Sequence, residues 1–234
     1  MSLGHGASVV LDGLVSYLDA ANPKSYPGSG TAWTDLSGNA NTGTLINSPT
    51  YSGSNLGTFN FDGVNNYVDC GNNSTVNFGT GDFTVSLWFT RTTNATNNLR
   101  LLSKAANADT ADAANAGFCF FGDDTSVTFA INPTAARTII TAATYSLNQW
   151  VNVVGLLERG VSMRTYKNTV QVSTAAAPAG SVSGTTTLRL ASALGASGSL
   201  FWPGAISNVT LYNRALTAAE VSQNFNALRG RFGV

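Results

Sequence analysis

Apolar residues that recur at every second position, stretch after stretch, constrain this chain more than any other feature. In DFTVSLWF, Phe83, Val85, Leu87 and Phe89 share one face, while Thr84, Ser86 and Trp88 share the other. Successive side chains of an extended strand point to opposite sides, so this is the pattern of a half-buried β-strand. QWVNVVGLLERGVSMRTYKNTVQVS reads as consecutive strands with turns at Glu158-Arg159-Gly160 and near Lys167-Asn168. TTLRLAS and SNVTLYN add strands near the end, and Gly and Asn punctuate the intervals in DLSGNANTG, FDGVNNY, FGTGD and ALGASGS. Many short strands at this spacing predict a sandwich or barrel built as one domain. Trp88, a bulky ring on an otherwise polar face, predicts a second layer or loop over that face.

Two stretches depart from the pattern. Residues 104–116, KAANADTADAANA, are Ala-rich and read as a surface loop with a helical turn. Residues 19–50 read as a long ordered connection. The one helix the sequence announces closes the chain. Thr217 with Glu220 forms a capping box, in which hydroxyl and carboxylate each satisfy a backbone N–H. Val221, Phe225 and Leu228 then fall on one stripe, and Gly230 is placed as a stop. A helix over about 218–228 can cover an exposed end or edge of the sandwich.

Charged residues are 10% of the chain, against a typical ~25%. The surface is therefore polar but mostly uncharged. A hydrophobic fraction of 43% with twelve Phe and four Trp excludes disorder. Zero net charge gives no basic field for nucleic acid or an anionic membrane, so neither is expected as a partner. No apolar run approaches the ~20 residues that span a bilayer. The opening MSLGHGASVVLDGLVSYLDAAN lacks a positively charged, cleavable leader, so synthesis and folding in a cytosol are expected. Residues 1–8 are expected to form a docked tail and residues 9–234 a single domain. Cys70 and Cys119 sit in apolar stretches and read as buried free thiols, with a bridge between them left open.

Three segments in order resemble laminin-G-like, concanavalin A-like modules. FDGVNNYVDCG followed by GDFTVSLWFTR is similar to their opening, where a Phe-Asp-Gly turn leads into an aromatic strand. QWVNVV with RTYKNTVQV resembles the middle section, and FWPGAISNVTLYNRALTAAEV the ending. The resemblance spans about residues 55–228. It implies an all-β, two-sheet jelly-roll sandwich with a short C-terminal helix. GLVSYLDAANPKSYPGSGTAWTDLSGNANTGTL resembles the leading segment of such modules in phage structural proteins. Two positions depart from the family pattern: Ser207 stands where an Asp is frequent, and Asn168-Thr169 replaces Asn-Gly. No metal or ligand role of that Asp carries over.

Candidate chemistry is sparse. The one histidine, His5, lies in the tail, so neither a Ser-His-Asp triad nor a multi-histidine zinc site is expected. Retaining glycoside hydrolysis needs two carboxyl groups ~5 Å apart. The only glutamates are Glu158, in a turn, and Glu220, in the helix cap. The expectation is a non-enzyme without cofactor. Calcium wants six to eight oxygens, for which Asp62 (with Asn65 and Asn66), Asp109, Asp112, Asp123 and Asp124 are the candidates. Solvated loop acids and Asx turns are the ordinary alternative. Trp33, Tyr26 and Tyr51 are the candidates for stacking on sugar rings, Trp33 being expected exposed in its Pro/Gly-flanked loop. His5, Arg229, Arg231 and Phe232 are candidates for an assembly interface. The leading reading is a phage virion structural protein: head decoration, head fibre or tail-associated subunit. It would sit on the virion surface, contacting other virion proteins, copies of itself and a host-surface glycan. The alternative is a secreted or displayed lectin-like carbohydrate-binding module, extracellular in location.

Overall fold

A computed structural model of the chain describes residues 8–94, 98–105, 116–134, 137–193 and 200–234. Sixteen strands run through them. The first eight are β1 (Leu14–Asp19), β2 (Ala32–Trp33), β3 (Gly43–Ile46), β4 (Thr50–Ser52), β5 (Thr58–Asp62), β6 (Tyr67–Asp69), β7 (Phe83–Arg91) and β8 (Leu99–Ser103). The rest are β9 (Gly117–Gly122), β10 (Ser126–Asn132), β11 (Thr138–Thr144), β12 (Val151–Glu158), β13 (Ser162–Lys167), β14 (Val170–Ala176), β15 (Arg189–Leu190) and β16 (Pro203–Tyr212). One helix, α1 (Ala218–Leu228), follows.

The strands form two antiparallel sheets, ordered β14-β13-β12-β7-β16-β5-β4 and β11-β10-β9-β8-β15-β6-β3-β2. On the far side of β16 from β7, β5 pairs with Pro203–Ile206 and β1 with Asn208–Tyr212. The hand-over falls at Ser207, where the register against β7 shifts. The Ser207 hydroxyl donates to the Gly57 carbonyl at 2.7 Å and the Ser207 carbonyl accepts from the Ala20 N–H at 2.9 Å. Gly57 has φ 152°, and a Cβ there would stand 2.2 Å from the Ala20 carbonyl oxygen, so the crossing admits only glycine. Ser207 is therefore a structural joint. The result is the all-β jelly-roll sandwich with one C-terminal helix that the sequence implied.

The inner faces meet in one core. Phe83, Val85, Leu87 and Phe89 of β7 face Phe118, Phe120, Phe129 and Ile131 of the second sheet. All nine residues of β7 and all ten of β16 are buried, so the middle of the first sheet is covered on both faces. The cover on its outer face is α1 and the turn after it, with residues 9 and 10 alongside. Val10, Leu216 and Val221 pack with Tyr212, Tyr166 and Leu156. Trp88 stacks against Phe232 at 4.1 Å and Phe225 at 5.3 Å. This is the layer the misplaced ring on β7 demanded.

Several expectations change. The segment 19–50 is not merely a connection, since it holds β2 and β3. Gly230 does not stop the helix: the chain continues into a 3-10 turn over Arg229–Arg231, and the left-handed glycine is Gly233 at φ 68°. The reading of Cys70 and Cys119 as buried and unbridged holds. The helical turn read into 104–116 concerns residues 106–115, which lie outside the described residues.

Candidate functional site

The carbohydrate candidates from the sequence do not form a surface. Trp33 is fully buried, because its strand pairs β2 with β3 opposite Gly43 and sends the indole onto Phe59 at 4.7 Å. Tyr26 is buried beside it, 4.7 Å from Phe59 and 5.0 Å from the half-buried Tyr51. The Tyr26 hydroxyl donates to the Gly30 carbonyl and that of Tyr51 to Ala20. The three rings are core packing under the 19–50 segment, not a sugar platform.

The assembly candidates are also mostly spent inside the chain. Arg231 donates two hydrogen bonds to the buried Asp19, and Phe232 is buried on Trp88. Arg229 remains exposed, and His5 lies outside the described residues.

The acids serve turns. Asp62 accepts the N–H groups of Val64, Asn65 and Asn66 at 2.8, 3.1 and 3.2 Å. Burial pushes its carboxyl up, but those donors outweigh it and hold the group below its ordinary value. Asp123 accepts from the N–H of Thr125 and of Ser126 across the β9–β10 turn, and the Thr125 donor foremost holds its carboxyl down. Asp124 lies 3.9 Å from Arg91. Among the described residues no three His, Cys, Asp or Glu side chains gather where they could hold a metal. Asp109 and Asp112 fall outside those residues. Both glutamates are bound to arginines: Glu158 to Arg164, and Glu220 to Arg214 at 2.6 Å. The Arg214 guanidinium, with the Thr217 donors, holds the Glu220 carboxyl down to about 2.

The chemistry that the sequence did not single out lies on the outer face of the second sheet. Alternation turns Phe118 and Phe120 inward, so Cys119 and Phe121 face out, where they cluster with Ala130. Register then lays Ala130, Cys119, Ser103, Arg189, Asp69 and Thr44 side by side across the sheet. Three arginines lie over rings on this face: Arg100 and Arg137 at 5.0 and 5.4 Å from Phe121, and Arg189 at 4.6 Å from Tyr67. Phe121 and Arg100 are buried, whereas Tyr67, Asp69, Arg189 and Phe201 are partly open. Arg189 Nε stands 3.3 Å from Asp69 Oδ2, which also accepts from the Thr187 hydroxyl at 3.3 Å. Phe201 lies 6.3 Å from Tyr67. A half-open ring, a carboxylate and a guanidinium are thus fixed on rigid strands within contact of each other. Such a set can stack on one flat apolar face and exchange hydrogen bonds with hydroxyls around it.

A second polar cluster sits at the end of β8. The buried Lys104 Nζ donates to Asn72 Oδ1 at 2.8 Å, Asn77 Oδ1 at 3.0 Å, the Thr186 carbonyl at 2.8 Å and the Gly184 carbonyl at 3.4 Å. Burial pulls its pKa down to about 8, so the group is still charged at neutral pH. The ammonium itself takes up the four oxygens of this cage.

No curated protein matches the chain in sequence. Its fold matches the binding domain of Paraclostridial Mosquitocidal Protein 1 with a TM-score of 0.75 at 16% identity, over 93% of this chain and 52% of that one. Trypanosoma rangeli sialidase, solved in complex with sialic acid, matches with 0.71 at 16% identity, over 99% and 35%. The structure described under "Cell entry of botulinum neurotoxin type C is dependent upon interaction with two ganglioside molecules" matches with 0.69 at 12% identity, over 93% and 52%. The chain thus spans about half the length of the two toxin structures and about a third of the sialidase. A family model described as Laminin_G_3, Concanavalin A-like lectin/glucanases superfamily, matches residues 62–222, well over half the chain. From Asp62 at the end of β5 to the first half of α1, this protein belongs to that concanavalin A-like family.

Proposed function

We propose that the chain is a non-catalytic recognition module that holds a glycan against the outer face of its second sheet, at Tyr67, Asp69 and Arg189. The observation that carries this is the Arg189 guanidinium held 4.6 Å over the Tyr67 ring and 3.3 Å from the Asp69 carboxylate. The part of the Tyr67 ring that Arg189 leaves uncovered offers a stacking surface for the C–H face of a sugar. Asp69 accepts from hydroxyls, and Arg189 donates to ring oxygens or an acidic substituent. Because the residues sit on paired strands, the geometry is set before the ligand arrives. Family membership supports the reading, as do a ganglioside and sialic acid in the descriptions of two structures with this fold. The commitment of Glu158 and Glu220 to arginines supports binding rather than hydrolysis. A glycan array with the purified chain is the test. A retained glycan should be lost by about tenfold or more, ~1.4 kcal/mol, in Tyr67→Ala and Arg189→Ala with folding intact. An array with no hits, or variants that bind like the parent, would overturn the assignment.

The setting proposed for this module is the surface of a virus particle, as a head decoration, head fibre or tail-associated subunit. Its support is the likeness of residues 13–45 to the leading segment of phage structural modules, together with a surface carrying so little charge. Density-gradient fractionation of the native source tests it. The protein should band with particles at fixed stoichiometry to the shell protein, and recovery only in the soluble fraction would remove the virion from the reading.

A further inference from the structure

Arg189 is held by its inner nitrogen and leaves its outer ones free. Nε donates to Asp69 Oδ2 and to the Thr187 hydroxyl, each at 3.3 Å, and the guanidinium carbon stands 4.6 Å from the centre of the Tyr67 ring. These three contacts fix the position of the group. Neither terminal nitrogen, Nη1 or Nη2, donates to an acceptor among the described residues, and neither is closed off from solvent. Asp69 is only a partial match for the charge. It meets Arg189 through one nitrogen rather than two, and it also accepts the Gly71 N–H on Oδ1 at 2.9 Å and the Thr187 hydroxyl on Oδ2. The strong, two-toothed form of an arginine–carboxylate pair is not made.

The strands around the guanidinium sort their outer side chains into two rows. Register sets Thr44, Asp69 and Arg189 side by side in a polar row. Ile46 and Tyr67 are paired in an apolar row, with Phe201 beside Tyr67. Residues two apart on a strand are ~7 Å from each other, so a ring lying on the apolar row has its edge at the polar one.

We infer, on the footing of the glycan reading of this same site, that its ligand is an acidic sugar whose carboxylate is received by Nη1 and Nη2 of Arg189 while its ring lies on Tyr67. Two N–H groups side by side in one plane match the two oxygens of a carboxylate, and a guanidinium offers no acceptor to a hydroxyl proton. One guanidinium balances one negative charge, which a carboxylate carries and a phosphate monoester, with about two, exceeds. Asp69 sets which edge is used. A second carboxylate on the Nε edge would face Asp69 directly, so the acid of the ligand is confined to the outer edge. The acid-reading element is therefore a positioned donor pair, with Asp69 and Thr187 as the residues that orient it.

Titration calorimetry of the full chain with matched ligands tests this. The probes are sialyllactose, an oligogalacturonate and a hyaluronan fragment, each beside its own methyl ester, with lactose as a neutral sugar and a sulfated galactan as the other acid. At least one carboxylated probe should bind tighter than its ester by about tenfold or more, the worth of one charge-assisted pair. Arg189→Gln should erase that difference and leave the affinity for the ester near that of the parent. An acid and ester bound alike by the parent, or a preference that survives Arg189→Gln, overturns the inference and leaves the glycan reading standing. So does binding of lactose alone. Preference for the sulfated galactan over every carboxylated probe overturns the carboxylate in favour of a sulfate ester. If no sugar binds at all, the glycan reading and this inference fall together.

Discussion

Arg231 and Asp19, 212 residues apart in sequence, face each other with two hydrogen bonds of 2.6 and 2.8 Å. Asp19 is almost entirely buried, and it also accepts the Tyr17 hydroxyl and the Ala21 N–H. The pair fastens the 3-10 turn after α1 to the end of β1. Removing one partner of a buried pair leaves the other charge without compensation, a loss of 3–5 kcal/mol when both are fully enclosed. Arg231 keeps some exposure, so Arg231→Met should cost about 3 kcal/mol, the low end of that range. Urea denaturation of the parent and the variant measures it. A change under about 1 kcal/mol would mean that water replaces the guanidinium without penalty.

Trp88 depends on the same segment. Its indole stacks with Phe225 and Phe232, 16–17° from parallel to each, in a cluster that includes Leu228 and has Trp150 packed against it. Phe232→Ala removes the closer ring and opens the outer face of β7 to water. The expected cost is about 3 kcal/mol. The variant's tryptophan emission should also shift to longer wavelength before unfolding begins. An unchanged emission maximum would show that another part of the chain closes over Trp88.

That layer was legible in the sequence because alternation fails visibly at Trp88, one large ring among Thr84 and Ser86. The capping box was legible for a similar reason: Thr217 and Glu220 interact over three residues. Trp33 misleads because its local surroundings, Gly28, Gly30 and Pro27, are those of an open loop. Its burial comes from Phe59 and from the pairing of β2 with β3, contacts that no window around residue 33 contains. The outer-face site has the same character. Tyr67, Asp69 and Arg189 become neighbours only through the pairing of β6 with β15 across 120 residues, and β15 is two residues long. Buried charges are the hardest case. Lys104 opens the stretch that reads as a surface loop, and nothing beside Arg91 in the sequence marks it as buried, yet both are enclosed with acceptors from distant segments.

The helix cap sets an acid limit on stability. The folded carboxyl of Glu220 titrates at about 2, below its ordinary value of 4.5. The unfolded state therefore takes up the proton first as pH falls. The stabilisation is fully present above about 4.5, declines through the window below it, and is gone near 2. Glu220→Gln should melt below the parent at pH 7, by the ~1 kcal/mol typical of a lost cap. The two proteins should converge as the pH approaches 2. Parallel melting curves at every pH would show that the carboxylate charge contributes nothing to the cap.

Lys104 joins three separate pieces of the rim through one ammonium: the end of β8, the Asn72–Asn77 loop, and the Gly184–Thr186 segment that leads into β15. No carboxylate is among its acceptors, so the charge is balanced by the dipoles of four neutral oxygens. The Thr186 hydroxyl donates to the Lys104 carbonyl at 2.9 Å and completes the tie on that side. Lys104→Met keeps the length of the side chain but leaves those oxygens facing a thioether. Unsatisfied buried acceptors cost about 1–3 kcal/mol each when water cannot reach them. Asn72 Oδ1 retains the Asn77 Nδ2 donor at 2.9 Å, and the Asn side chains are partly open to solvent. The net loss should therefore be about 2–4 kcal/mol, not the sum of four. Amide hydrogen exchange locates it: protection should fall at Leu188 and Cys70, whose N–H groups bond to Gly71 and Leu188, before it falls in β7. If Lys104→Met unfolds β7 and the rim together, the cage is part of the global core. If it changes neither exchange nor stability, the ammonium holds nothing in place.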